Sequence, residues 1–291
     1  MLPSSFLFSY IGFDADNLPI FDIQVDGTIS RYPILGKSFS LTFDLSERYC
    51  TGWLDFENHK ALPCPDQATV EKKYDQCIAC RNKTGFNPAF YNASSVSEQQ
   101  QAINRNPHFL YLAYFAPGLI KVGISQEARG IRRLLEQGAR IAIKVETFPT
   151  AEIARQYEAK ISALDGVVEH VVSRKKLDLL KTLFDETKAI DELKNVLDFA
   201  SKSLNIAFNK YEIVRTTSCF NCQDVELSSA VIMKDQPNLI GNVRAIVGHT
   251  AILERDDRLL AYDLKRFVGY RANVCDENVE IELPSEQLAL F

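Results

Sequence analysis

Four cysteines fall in one short stretch: Cys50, Cys64, Cys77 and Cys80. Four thiolates bind zinc when the chain brings their sulfurs to a tetrahedron about 2.3 Å from the ion. Cys77-Ile78-Ala79-Cys80 has the two-residue gap of a zinc knuckle, and Cys64 is stiffened between Pro63 and Pro65. Cysteines so clustered, in a chain expected in the cytoplasm, point to metal ligands rather than disulfides. The chemistry implied is one structural zinc on all four sulfurs, set against the plainer alternative of buried free thiols. His59 is a fifth candidate ligand, in a charged loop where a histidine is ordinarily just exposed. Cys219-Phe220-Asn221-Cys222 is a second pair with the same gap. It could complete a site with Cys77 and Cys80, so that pairing stays open beside the preferred local quartet. No helix start follows Cys219 to lower a thiol pKa, and Cys275 stands alone.

A second constellation lies between Phe109 and Glu158. Leu110 to Tyr114 and Ile120 to Ser125 are strand-like runs joined by Pro117-Gly118, the pattern of a β-hairpin. Arg129 to Gln137 reads as a helix that stops at Gly138. Ile141 to Phe148 is β-branched and strand-like, and Pro149-Thr150 starts a second helix, Ala151 to Leu164, that contains Glu158. Taken singly, each polar residue here has a structural explanation. Tyr111 or Tyr114 could be core, Gly123 a strand bend and Glu158 a solvated helical acid. From Lys121 to Lys144 six basic residues face two acidic ones, a local charge of +4 on a chain whose net charge is -5. That pattern fits either a phosphate-facing patch or an ordinary ion-paired helix face.

The β-β-α-β-α order, with Tyr, Gly, Arg and Glu at these places, resembles the GIY-YIG nuclease superfamily. Leu110-Tyr111 stands where that family has the Ile-Tyr of its first motif, with Phe109 replacing the glycine. Lys121-Val122-Gly123 stands where it has Tyr-Ile-Gly, and divergent branches also carry lysine there. The resemblance implies a phosphodiester hydrolase. Glu158 would hold Mg²⁺ or Mn²⁺ beside the scissile phosphate. Tyr111, with Tyr114 as its alternative, would act as base or orient the water. Arg132, or else Arg133 or Arg129, would neutralise the phosphoryl oxygens. Lys121 would add positive charge, Gly123 would let the backbone pass close, and Arg129, Arg133 and Arg140 would line the nucleic acid. Cys50-Thr51-Gly52-Trp53, Gln76-Cys77-x-x-Cys80 and Gln137-Gly138-Ala139 together resemble a poorly characterised prokaryotic family carrying this domain.

These residues need a frame, and 291 residues suffice for two domains or three small modules. Hydrophobic content of 46% and charged content of 24% are ordinary for a globular chain. No apolar run approaches a membrane span, and Met1 to Ser5 lacks the basic start of a secretory signal. The net negative charge argues against a protein that coats nucleic acid over its whole surface. Residues 1–49 alternate apolar and polar positions between Asp26-Gly27 and Leu35-Gly36, suggesting antiparallel strands. Residues 82–106 are polar and read as a linker. From Ser173 to Leu204, leucines at spacings of three and four predict one or two amphipathic helices. Tyr211 to Arg215 and six further runs, at 225–233, 239–247, 250–254, 259–264, 267–274 and 279–283, read as strands. Arg244, Lys265 and Arg266 are scattered among them.

The expected architecture is α+β. A central GIY-YIG-like β-β-α-β-α domain (107–210) is flanked by a β-rich zinc segment (1–106) and a small antiparallel β domain (211–284). A tail (285–291) follows. Gln287-Leu288-Ala289-Leu290-Phe291 resembles the peptide with which bacterial replication and repair proteins bind the DNA polymerase sliding clamp. Leu288, Leu290 and Phe291 would fill apolar pockets while the Gln287 amide bonds at the rim. The alternative is a tail folded onto its own core. Two functions follow from the whole: a metal-dependent nuclease acting on DNA in preference to RNA, or a non-catalytic nucleic-acid-binding adaptor that keeps the nuclease fold.

Overall fold

Two hairpins begin the chain: β1 (Ser5–Phe13) with β2 (Pro19–Val25), and β2 with β3 (Thr28–Pro33). Asp26 and Gly27 both take positive φ, 47° and 71°. That is the two-residue turn whose twist suits a hairpin. After β4 (Ser38–Asp44) the chain leaves this sheet and returns almost two hundred residues later, with a short edge strand and then β13 (Asn238–Val247). In the computed structural model, which describes residues 2–56, 60–85, 96–208, 210–234 and 236–284 (173 and 174 by backbone only), β4 pairs directly with β13. His59 and the tail residues Gln287, Leu288, Leu290 and Phe291 lie outside the described residues.

The returning strands β12 (Val231–Ile232), β13, β14 (Thr250–Arg255), β15 (Arg258–Asp263) and β16 (Arg271–Val274) share one nine-stranded sheet with the first four. Its order is β12-β15-β14-β13-β4-β16-β1-β2-β3. Thr42 of β4 lies opposite Asn238 on one side and Asn273 on the other. Segments read from sequence as separate flanking units therefore interleave. Alternation reveals that a run is extended but not which distant run it pairs with. Asp256 and Asp257, at φ 49° and 57°, make the β14–β15 turn. Three expected strands are reduced: 279–283 forms none, of 225–233 only Val231–Ile232 is strand, and of 267–274 only Arg271–Val274. A 3₁₀ turn at Leu227–Ser229 precedes Val231–Ile232.

Between β4 and β13 come two units. The first holds the short hairpin β5 (Trp53–Asp55) and β6 (Lys60–Leu62), then α1 (Ile78–Thr84) and α2 (Glu98–Asn104). The second begins with β7 (His108–Ala116), β8 (Leu119–Gln126), α3 (Arg132–Gln137), β9 (Ile141–Phe148) and α4 (Ala151–Ser162). It continues through β10 (Val167–Val168), α5 (Ser173–Leu180), α6 (Glu186–Leu204) and β11 (Glu212–Arg215). Its sheet order is β10-β8-β7-β9-β11, so β11 joins the central sheet rather than the C-terminal strands. The mixed α+β class expected from sequence holds.

Local signals explain these boundaries. Gly118 at φ 69° turns β7 into β8, and Gly138 at φ 74° ends α3 in the left-handed conformation. Thr150 caps α4, accepting from the Ile153 N–H at 3.4 Å. Residues alternate along β7. Leu110, Leu112 and Tyr114 face α4 and α6, which bury Ala154, Ile161, Leu193 and Leu197 there. Phe109, Tyr111 and Ala113 face the other way, toward Leu134 of α3. Leu135 of α3, Leu180 of α5 and Phe220, in the short helix α7 (Thr217–Phe220), join the core of the nine-stranded sheet. The central unit and the large sheet thus share one seam.

One core residue carries an uncompensated polar group. Tyr262 of β15 is fully buried, and its hydroxyl has no hydrogen-bond partner among the described residues. Burial pushes its pKa up to about 12. Burying a hydroxyl without a partner costs about 1–3 kcal/mol. Tyr262→Phe is therefore expected to hold or raise the denaturant midpoint by up to that amount. A clear loss of stability would mean that the hydroxyl is bonded after all.

Candidate functional site

Two clusters concentrate chemistry. In the first, the ligand atoms of Cys50, Cys64, Cys77 and Cys80 all lie within 4.8 Å of one another. The Cys64 and Cys77 sulfurs are 4.0 Å apart, and all four thiols are free of disulfides. A tetrahedral zinc–sulfur shell places its sulfurs ~3.8 Å apart, so the quartet is compatible with one zinc. Backbone N–H groups already point at the sulfurs. Gly52 and Cys77 donate to Cys50 at 3.4 and 3.2 Å, and Cys80 donates to Cys77 at 3.5 Å. Such bonds favour thiolate, while burial pushes the Cys50 and Cys80 thiols up. A cation among the four sulfurs would resolve that opposition.

The fold makes this cluster from three pieces. Cys50 is fixed by its N–H to Ala68 O at 2.8 Å, Cys64 follows β6, and Cys77 caps α1, which carries Cys80. Gly52 sits at φ 92°, and a Cβ there would strike the Leu62 carbonyl. The unit is tied to the large sheet by Arg48. Its guanidinium donates to Val268 O at 3.0 Å and also engages Lys72 O and Asp75. Cys219 and Cys222 instead pack against the core of the nine-stranded sheet, outside the quartet.

The second cluster surrounds Gly123. Tyr111, Lys121 and Gly123 share one face of the central sheet, with Tyr111 opposite Gly123 in the ladder. A Cβ on Gly123 would collide with the Tyr111 hydroxyl and lie 2.9 Å from Lys121 Nζ. Glycine therefore lets these two polar ends meet over the strand. Both side chains are buried, Tyr111 at 1% and Lys121 at 6% exposure. Lys121 Nζ donates to Val122 O at 2.9 Å. Burial pushes its pKa down to about 8, partly countered by Glu158. Burial likewise raises Tyr111, against the opposing charge of Arg133.

Glu158 joins from α4, buried at 4% exposure, and is ion-paired with Arg155. Arg155 also reaches Glu169 at 4.0 Å. Glu169 follows directly where β10 leaves β8, because Val168 pairs with Lys121. The acids thus gather at the β8–β10 edge beside Lys121, and Glu158 couples electrostatically to both Lys121 and Tyr111. Burial raises the Glu158 carboxyl, opposed by Arg155. The arrangement offers a lysine whose proton burial loosens and a tyrosine whose proton burial tightens, which suits proton transfer and oxyanion stabilisation.

Other expected members lie elsewhere. Arg132 turns back on its own chain, donating to Arg129 O at 3.1 Å and Ala128 O at 3.4 Å. Arg133, about 100° further around the helix, is the arginine that faces Tyr111. Tyr114 is on the opposite face of β7, packed 6.2 Å from the Phe184 ring. Alternation decides this, since 111 and 114 are an odd number of residues apart. Arg129 is paired with Glu136 at 2.6 Å. Arg140 donates to Thr182 O at 2.6 Å and stacks on Phe184 at 4.6 Å. Arg155 went unread in the sequence, although its i,i+3 spacing to Glu158 was a usable signal.

The matched family covers both clusters. The model described as "Protein of unknown function (DUF2797)" matches residues 36–272, and the chain belongs to that family. No curated protein and no solved structure matches it. No helix among the described residues is long and apolar enough to cross a membrane.

Proposed function

We propose that this is a DNA-associated zinc protein whose Gly123 cluster is a divergent GIY-YIG-like site that hydrolyses phosphodiesters. The observation that carries the reading is the meeting of Tyr111 and Lys121 over Gly123, coupled to Arg133 and Glu158. The β-β-α-β-α order of β7 to α4 supports it as well. Arg133 takes the phosphate-neutralising role for which Arg132 stood first in the sequence. Tyr111 orients the nucleophilic water, and Lys121 accepts or returns its proton. Glu158 is the carboxylate for Mg²⁺ or Mn²⁺, which when bound supplies charge to the scissile phosphate. A second reading, a non-catalytic DNA-binding adaptor, is favoured by one observation: Glu158 is already closed on Arg155.

The zinc unit supports a nucleic-acid partner under either reading. Lys73 and Arg81 lie over the Tyr74 ring at 4.8 and 4.3 Å, and Lys83 lies over Trp53 at 5.4 Å. Aromatic rings among cations suit stacked bases and their phosphates. In this reading one structural zinc sits on Cys50, Cys64, Cys77 and Cys80. Elemental analysis of protein purified without chelator should find one zinc per chain. Cys77→Ser or acidification should release it and lower Tm, because metal-binding free energy is folding free energy. Metal-free protein of unchanged Tm would reject the zinc.

Cleavage is tested with branched, nicked and single-stranded DNA in Mg²⁺ or Mn²⁺. Glu158→Ala should lose activity by at least about a hundredfold and keep binding, whereas Arg133→Ala should weaken both. Cleavage that survives in Glu158→Ala rejects the metal role. Binding without cleavage by the wild type selects the adaptor. The tail reading stands as part of the proposal, with Gln287 to Phe291 docking on the sliding clamp. A titration of the clamp with the full chain and with one lacking 287–291 should show binding only for the former, and equal results would remove that partner.

A further inference from the structure

A second polar site lies in the seam where the central unit meets the large sheet. The end of α3 meets the β13–β14 turn there through two glycines, Gly138 at φ 74° and Gly248 at φ 65°. A Cβ on Gly248 would be 3.1 Å from Gly138 Cα and N. Without side chains the backbones close to contact, and they leave beside them a cavity of about 40 Å³. That holds about three waters at ~10–15 Å³ each, the room of a single tetrahedral oxyanion. Lys176, His249, Thr250 and Asp263 line it.

Two basic residues, Lys176 and Arg140, and two acids, Glu136 and Asp263, line the cavity with His249. Lys176 Nζ donates to Gln137 O at 2.6 Å and lies 5.1 Å from the Phe115 ring centroid. Among the described residues no carboxylate lies within ion-pair distance of it. Burial first, then Lys121, Arg133 and Lys265, push its pKa down to about 8, against the opposing charge of Asp263. Burial, Lys265, Lys176 and Arg133 push His249 down to about 3. Of the acids lining the cavity, Glu136 is committed to Arg129, and burial raises the Asp263 carboxyl against the Lys265 N–H and the charges of Lys265, Arg266 and Lys176. A half-buried ammonium with no carboxylate at ion-pair distance is a group that an anion entering the cavity can pair with.

We propose that this cavity is an oxyanion site for one phosphate group, with Lys176 supplying charge and His249 and Thr250 the directed hydrogen bonds. The site stands apart from Glu158 and does not depend on cleavage. Its ligand is a phosphate, either free in solution or at the end of a polynucleotide strand. Calorimetric titration of the full chain with inorganic phosphate should show binding. Lys176→Gln should weaken it about tenfold or more, the worth of a hydrogen bond to a charged group. Lys175→Gln, at the exposed neighbouring position, should not change it. A 5′-phosphorylated oligonucleotide that binds more tightly than its unphosphorylated twin assigns the phosphate to a strand end, and equal binding of the two assigns it to free phosphate. If Lys176→Gln fails to fold, the wild type still decides through the ring resonances of His249, which should shift as phosphate saturates. Absent phosphate binding, affinity unchanged in Lys176→Gln, or unmoved His249 resonances would each overturn the site.

Discussion

The pairing of β4 with β13 and β16 is the constraint on which the rest depends. It joins the first fifty residues to the last fifty described ones in a single ladder. Everything between, the cysteine unit and the central sheet, is inserted into that one connection. The entropic cost of closing so long a loop grows only with the logarithm of its length. The burial that offsets it is large: Phe8, Phe43, Phe267 and Tyr262 all lie in one core. Because both ends of the insertion are held, its units are pressed against the sheet rather than hung from it. Arg48 fixes the cysteine unit beside Val268, and Gly138 against Gly248 fixes the central unit.

That clamping explains where charge is buried. Lys121 and Lys176 are held in seams by packing on either side, with Glu158 and Asp263 nearby but, among the described residues, no carboxylate at ion-pair distance. Desolvation favours their neutral forms, and each additional cation nearby adds to the cost. A fold selected for stability alone would place methionine or leucine at such positions. Lysines retained there concentrate positive potential in a low-dielectric setting, where it acts on a ligand more strongly than any surface patch would. The negative net charge of the chain does not prevent single lysines from being held in its seams.

Much of this was legible in the sequence, and the divide follows sequence distance. The β7–β8 hairpin, α3, β9 and α4 announce themselves through Pro117-Gly118, Gly138 and Thr150, which act locally. The cysteine quartet was legible because three of its members are anchored by short, stiff segments. The choice between Arg132 and Arg133 was not, since it rests on which turn of a six-residue helix faces the sheet. Tyr114 looked equivalent to Tyr111 until alternation placed it on the other side. Lys176 and His249 belong to elements more than seventy residues apart, and no periodicity links them. The interleaving of first and last strands was hidden for the same reason.

The position of Arg155 sets what a divalent ion at Glu158 would have to displace. A divalent ion at Glu158 requires that carboxylate to release Arg155, whose charge must then be taken up elsewhere. Glu169 is the available acceptor, already 4.0 Å from the guanidinium and half-exposed. It is held in place by the Ser162 hydroxyl, which donates to it at 2.9 Å. A short swing of Arg155 from one carboxylate to the other would leave Glu158 bare beside Lys121, without stranding a charge. Burial already weakens the hold of Glu158 on its own negative charge. The exchange is therefore driven only when a stronger cation arrives. Glu169, outside the motif and unremarkable in the sequence, is thus the residue that gives Arg155 a second partner.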